Sequence, residues 1–226
     1  MLFIFDCDGV LVDSEILAAR VDSELLTKAG YPITPEEVIQ RFAGLTAEAF
    51  MRIVEDEIGH PLPPTFHEEQ RAELDDLLAS ELKAVPGVNE MLDRIEGQQC
   101  IGSNSSNARL KLMLERTRLY DRFRPYIYSA REVGDGQPKP DPNVYSYAIK
   151  QFGVEPREAL VVEDSVFGVR AAKAAGARVV GFTGGAHSWP GHADILTEAG
   201  AETVIKRFAD LPGVAEAFIA WSGLED

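Results

Sequence analysis

The chain has 226 residues, 45% hydrophobic and 26% charged, and its 22 Lys and Arg against 37 Asp and Glu give a formal net charge of −15. That balance argues against a nucleic-acid partner or an anionic membrane surface, which both call for clustered Lys and Arg, while the apolar content suits a packed core. No apolar run approaches the roughly 20 residues of a membrane span, Met1–Asp6 has no basic region or cleavage site of a secretory signal, and Cys7 and Cys100 have no disulfide-framework or metal-type spacing, so a reduced, cytoplasmic protein is expected.

Leu2–Phe5 is a short apolar run stopped by Asp6-Cys7-Asp8-Gly9, the pattern of a strand buried on both faces. From residue 14 to about 83 the pattern is helical. Ser14 is placed to cap a first helix ending at Gly30, with Ile16, Leu17, Val21, Leu25 and Leu26 as its apolar face. Thr34-Pro35-Glu36-Glu37 is a capping box with proline at the first helical position, and Gly44 is placed to close that helix. Thr46–Gly59 reads as a third helix. After Pro61, Pro63 and Pro64 a fourth opens at Thr65-Phe66-His67-Glu68 and reaches about Lys83. Four successive helices with short loops predict a small antiparallel bundle.

After Val85-Pro86-Gly87 helical stretches alternate with short β-type runs at 99–102, 126–129, 159–162, 178–182 and 202–205. Such alternation predicts a parallel sheet with right-handed crossovers. Leu2–Phe5 has no strand to pair with in the helical stretch, so it must join this later sheet. The expected fold class is therefore α/β: a Rossmann-like doubly wound parallel sheet core, residues 1–14 and 85–226, with an inserted four-helix domain, residues 15–84. A closing helix is expected from a cap at Asp210 to about Trp221, burying Val214, Phe218 and Trp221.

Ligands of parallel sheets bind beyond the carboxyl ends of the strands, so the residues after each run matter. They are Asp6 and Asp8 after the first, Ser103-Asn104-Ser105-Ser106 after the second, a Gly-rich loop and Lys139-Pro140-Asp141-Pro142 after the third, and Glu163-Asp164-Ser165 after the fourth. Taken singly, each has a bland reading: a helix N-cap at 163–165, a plain loop at 103–106, a surface lysine at 139. An EF-hand fails, because Val10 and Leu17 stand where a calcium loop needs ligands. Gly134-Asp135-Gly136 is too short for a dinucleotide fingerprint. Cys7 is expected in the core, since alternation turns it away from Asp6 and Asp8.

Taken together, the set suits phosphoryl transfer. Clustered carboxylates imply a hard cation, and oxygen-only ligands favour Mg²⁺. Asp6 is the candidate nucleophile, and Asp8 the acid that protonates the leaving oxygen and later takes a proton from water. Ser103 with the N–H groups at Asn104 and beyond offers an anion cradle. Lys139 supplies a fixed positive charge, and Glu163 and Asp164 complete the cation site.

These residues resemble the four motifs of the haloacid dehalogenase superfamily, in the branch with a helical cap inserted after the first motif. Asp6-Cys7-Asp8-Gly9-Val10-Leu11-Val12-Asp13-Ser14 matches the first, Ser103 the second, Lys139 in Lys-Pro-Asp-Pro the third. Glu163-Asp164-Ser165, followed by Gly168 and the run Ala171–Gly176, matches the fourth. The resemblance implies a transient phosphate ester on Asp6. It also implies Mg²⁺ held by the Asp6 carboxylate, the Asp8 carbonyl and Asp164, with Glu163 direct or through water and Asp13 outside the ligand set.

Asp8 argues against the dehalogenases and phosphonatases of the superfamily, which lack that acid. Sugar-phosphate mutases resembling β-phosphoglucomutase carry a cap histidine where this chain has Ala18, which leaves a phosphatase acting on a small phosphorylated metabolite as the expectation. A mutase and a non-catalytic phospho-ligand binder are the alternatives. The stretches 71–82 and 181–187 are similar to sugar-acid phosphatases such as 6-phosphogluconate phosphatase. Arg41 and Arg71 are the cap cations that could meet a sugar hydroxyl or carboxylate, against a reading as solvated helix-face charges. His187 and His192, in a loop with Trp189, read as a surface loop, with a lid or an oligomer contact as the alternatives.

Overall fold

The structure is a computed structural model and describes residues 1–42, 45 and 47–222. The expected helix stop at Gly44, the helix start at Thr46 and the Trp221 side chain lie outside the described residues. The chain opens with β1 (Leu2–Phe5) and then runs through α1 (Ser14–Lys28), α2 (Pro35–Phe42), α3 (Ala47–Ile58) and α4 (Phe66–Glu81). It continues as α5 (Val88–Arg94), β2 (Gln98–Ser103), α6 (Asn107–Arg116), α7 (Tyr120–Phe123), β3 (Ile127–Ser129), α8 (Asn143–Phe152) and β4 (Ala159–Glu163). The last elements are α9 (Val166–Ala174), β5 (Arg178–Phe182), α10 (His192–Ala199), β6 (Thr203–Ile205) and α11 (Leu211–Ser222).

All strand pairs are parallel, in the order β3-β2-β1-β4-β5-β6. This is the doubly wound arrangement, and its order reverses beside β1, where such sheets open a crevice at the strands' carboxyl ends. Side chains alternate along β1 as the pleat requires. Phe3, Phe5 and Cys7 enter an apolar cluster shared with Met91, Leu110, Met113, Phe123 and Phe208. Leu2 and Ile4 enter the opposite cluster with Val144, Tyr145, Val169 and Leu196. Cys7 is fully buried in the first of these, as alternation predicts.

The four helices between β1 and α5 have an apolar cluster of their own, built from Val21, Leu25 and Leu26 of α1, Val38 and Phe42 of α2, Phe50 and Val54 of α3, and Phe66 of α4. The capping box forms, with Glu37 N–H donating to Thr34 Oγ1 (3.2 Å) and Thr34 N–H to Glu37 Oε2 (2.8 Å). The two chain crossings into this insert lie side by side: Asp13 N–H donates to Lys83 O and Val85 N–H to Leu11 O, each at 3.0 Å. Leu17, Leu78 and Leu82 at the insert's ends pack into the sheet's cluster, which seats α1 and α4 on the core.

Two expected caps differ. Ser14 is the first residue of α1, with Asp13 in the cap position. Its hydroxyl donates to Asp8 Oδ1 at 2.8 Å, so it serves the Asp8 carboxyl rather than the helix end. Asp210 ends a short 3₁₀ turn before α11, and its carboxylate takes Arg207 at 2.8 Å. Phe218 is buried and Val214 half-buried against the core, as expected.

Candidate active site

Asp6 directly follows β1, and its N–H still bonds Val162 O at 3.0 Å, so strand pairing fixes its backbone. Its carboxylate meets Lys139, which arrives from the loop after β3: Nζ lies 2.7 Å from Asp6 Oδ1 and 2.6 Å from Glu163 Oε1. The Lys139 backbone is clamped by Asn104, whose Oδ1 accepts from Lys139 N–H at 2.8 Å. From the start of α8, Asn143 donates to Ala130 O and Val133 O at 2.9 and 3.0 Å, which ties the Gly-rich segment together.

Glu163, at the end of β4, is fully buried. Beyond Lys139 it takes Tyr145 OH at 2.6 Å, Ser165 N–H at 3.1 Å and Ser165 Oγ at 3.0 Å. Four donors on one carboxylate offset the cost of its burial. The packing leaves no room for a side chain at position 168, where a Cβ would stand 1.7 Å from Glu163 Oε1. Gly9 is needed twice over, since its φ is +73° and a Cβ there would lie 2.0 Å from Asp164 Oδ2.

Burial pushes the Asp6 carboxyl well above its usual range, Lys139 pulls it down, and the carboxylates of Glu163, Asp164 and Asp8 push it up again. Burial also opposes the Lys139 charge, but Asp6 and Glu163 outweigh it and hold the amine above its usual range. The cluster therefore keeps one cation against several carboxylates. Asp6, Glu163 and Asp164 each offer an oxygen within 4.8 Å of the others. An all-oxygen donor set with surplus negative charge suits a hard divalent cation.

Among the described residues, Asp8 is held by hydroxyls: Ser14 at 2.8 Å, Ser105 at 2.8 Å and Ser103 at 3.3 Å. Ser103 Oγ also accepts from Ser105 N–H at 3.0 Å, which folds the loop after β2 around the site. These side chains open onto a cavity of about 890 Å³ between the strand ends and helices α1, α4 and α6. The insert contributes Glu15, Ala18, His67, Gln70, Arg71 and Asp75 to its wall, and Arg109 and Arg131 stand on the sheet side.

Residues 3–182 match the family described as haloacid dehalogenase-like hydrolase. The chain belongs to that family. Among curated relatives, the 6-phosphogluconate phosphatase of Escherichia coli (strain K12) is 33% identical over 187 residues, 82% of this chain and 84% of that protein. The structure of a conserved haloacid dehalogenase-like protein of unknown function from Agrobacterium tumefaciens str. C58 superposes with a TM-score of 0.92 at 50% identity, covering 96% of this chain and 97% of that one. A haloacid dehalogenase family hydrolase from Deinococcus radiodurans R1, solved with bound phosphate and sodium, gives 0.82 at 32% identity, covering 96% and 95%.

In this haloacid dehalogenase-like hydrolase, Asp6, Asp8, Ser103, Asn104, Lys139 and Asp164 line one cavity, with Glu163 buried beneath Lys139. Arg71 lines it too and has no ion-pair partner among the described residues. Arg41 does not line it: the guanidinium pairs with Glu57 at 2.8 Å and donates to Tyr31 OH, because α2 and α3 turn these groups toward each other. His187 and His192 are both buried, against the surface-loop reading. His187 Nε2 lies 2.9 Å from Asp164 Oδ2, and His192 Nε2 2.7 Å from Asp164 O.

Tyr145, Ser105, Arg109 and Glu15 complete the site and have no role in the sequence reading. Ser105 was visible in the hydroxyl run after β2, whereas Tyr145 sits at a core position of α8 and carries no local signal. Glu15 is exposed on the cavity wall, yet the protein crowding around it and the carboxylates of Asp8 and Asp164 raise its carboxyl to about 7, with His187 pulling the other way. No described helix is long and apolar enough to cross a membrane.

Proposed function

We propose that the protein is a Mg²⁺-dependent phosphatase hydrolysing a small phosphomonoester, of a sugar, sugar acid or polyol, through a phosphoaspartate on Asp6. The observation that carries this reading is the cluster of Asp6, Lys139, Glu163 and Asp164 at the switch point of the sheet, opening with Asp8 onto a cavity of metabolite size. In the first half-reaction an Asp6 oxygen bonds to phosphorus, the ester oxygen leaves, and Asp8 gives it a proton. In the second, water bonds to phosphorus, Asp8 takes a proton from it, and the Asp6–phosphorus bond breaks.

Lys139 holds Asp6 in line and keeps positive charge beside it. Ser103 and the N–H groups of the following loop receive phosphate oxygens, with Asn104 fixing Lys139. The residues that would hold Mg²⁺ are Asp6 and Asp164 with the Asp8 carbonyl, Glu163 standing behind. The ion when bound supplies positive charge to the transferring group. The work divides between residues 1–14 and 85–226, which carry the chemistry, and residues 15–84, which cover it, exclude water and choose the substrate's other end. Arg71 is the insert's cation for that end, and Ala18 supplies no base at the position where mutases carry their cap histidine.

The test is phosphate release from a panel of sugar, sugar-acid and polyol phosphates, with Mg²⁺ and with EDTA, and with Asp6→Asn as control. Mg²⁺-dependent release that vanishes in D6N is expected. Positional isomers of the sugar phosphate in place of free phosphate would instead mean a mutase. Neither product from folded, metal-saturated protein would overturn the catalytic reading.

A further inference from the structure

Asp164 is gripped at both ends by one loop. His187 Nε2 stands 2.9 Å from its carboxylate Oδ2 and His192 Nε2 2.7 Å from its main-chain oxygen. Both acceptors can only accept, so each Nε2 carries the hydrogen. The His187 ring is buried, and its Nδ1 has no hydrogen-bond partner among the described residues, so Asp164 is its sole polar anchor.

The His192 ring is oriented from two further sides. Ser188 Oγ lies 3.1 Å from Nδ1, and Trp189 stacks on the ring with centroids 4.0 Å apart and planes 9° from parallel. The loop itself is tied to the N-cap of α1, where Ala186 N–H donates to Asp13 Oδ1 at 2.8 Å. At Gly9 the ring and the carboxylate are packed so closely that a Cβ would meet both, at 2.8 Å from His187 Cε1 and 2.0 Å from Asp164 Oδ2.

We propose that His187 and His192 are positioning residues for Asp164, holding its carboxylate and main chain so that one oxygen faces Asp6 and Glu163 to take a divalent cation. With Oδ2 engaged by His187, Oδ1 accepts no hydrogen bond from the described residues and is the oxygen left for the metal. Groups that orient a ligand in this way govern metal affinity. The loop, whose His187, Trp189 and His192 stand on the cavity wall, thereby acquires a role at the metal end of the site. The inference rests on the metal-dependent reading above.

The experiment is calorimetric titration of Mg²⁺ into metal-free wild-type protein and into H187A, H187Q, H187M and H192F, followed by kcat against Mg²⁺ concentration. H187A is expected to weaken Mg²⁺ binding about 10- to 100-fold, while kcat at saturating Mg²⁺ stays close to wild type. H187Q, which keeps an N–H donor, recovers part of the affinity; H192F, which keeps the stack on Trp189, shows a smaller loss. Mg²⁺ binding in H187A equal to wild type overturns this proposal alone. No Mg²⁺ binding by the wild type overturns it together with the metal-dependent reading. If H187A does not fold, H187Q and H187M decide, since they fill similar space with and without the donor, and equal affinity in the two overturns the proposal.

Discussion

Lys139 and Arg109 are both cations on the wall of one cavity, and they are held in opposite ways. The Lys139 side chain is 3% exposed and sits between two carboxylates that are 9% and 0% exposed. Arg109, from α6, reaches across to Asp75 on α4 at 2.7 Å, with 27% and 43% of the two side chains in water. The strand-end region holds its charges against fixed neighbours inside the protein, where a misplaced atom is costly. The insert-facing region leaves its charges half in water, where a pair contributes little and can part cheaply. On the proposed function, that difference gives a rigid site for the chemistry and an adjustable wall for selection.

The sharpest way to break this comparison is to remove each cation in turn. Lys139→Met leaves Asp6 and Glu163 buried without their partner and should cost about 3–5 kcal/mol in metal-free protein. Arg109→Met removes a half-solvated pair and should cost less than about 1 kcal/mol. Urea unfolding in EDTA checks both. Equal costs would mean that the two regions are not built differently after all.

The same difference explains what could be read from the sequence. Asp6, Asp8, Ser103 and Glu163-Asp164 abut apolar strands, so the rule that ligands gather at strand ends was enough to bring them together. Even Lys139, farther from its strand, belongs to a legible motif. The cavity wall has no such rule. Asp75 and Arg109 are 34 positions apart on different helices, and Tyr145 is spaced like any core residue of α8. His187 and His192 stand in a polar stretch that looks like surface, because nothing local says that the loop folds back over Asp164. Ser14 was legible as a helix start, yet its hydroxyl turns to a carboxylate six residues earlier. The six strands and the helical insert were readable because period and turn residues are local; side-chain direction across packed helices is not.

Arg41 and Arg71 sharpen this point, being the same residue type on two helices of one insert. Arg71 faces the cavity, and Arg41 is tied to Glu57 and Tyr31. Arg71→Ala should raise KM about tenfold with kcat little changed, the loss of one charged hydrogen bond to the bound substrate. Arg41→Ala should leave KM where it is. Steady-state kinetics on the best substrate of the panel separates them. A KM effect from Arg41 would place substrate contacts beyond the cavity wall described above.

The smallest expected effect concerns the insert's own stability. Asp22 on α1 accepts from Gln70 Nε2 on α4, which ties the two helices together. Burial raises its carboxyl from an ordinary 3.8 to about 6, although the Gln70 bond and nearby His67 pull the other way. Below pH 3.8 the group is protonated in both folded and unfolded chains and imposes no penalty. Between 3.8 and about 6 the unfolded chain has released its proton while the folded one retains it, so stability falls as pH rises; above about 6 both are ionised and the loss is constant. Asp22→Asn keeps the acceptor for Gln70 and removes the titration. The variant should match wild type near pH 4 and exceed it at pH 7 by about 1 kcal/mol, solvent screening at a partly exposed site limiting the gain. Unfolding free energies across that range check it, and parallel pH profiles would show that α1 and α4 shield Asp22 from water far less than the strand ends shield Asp6.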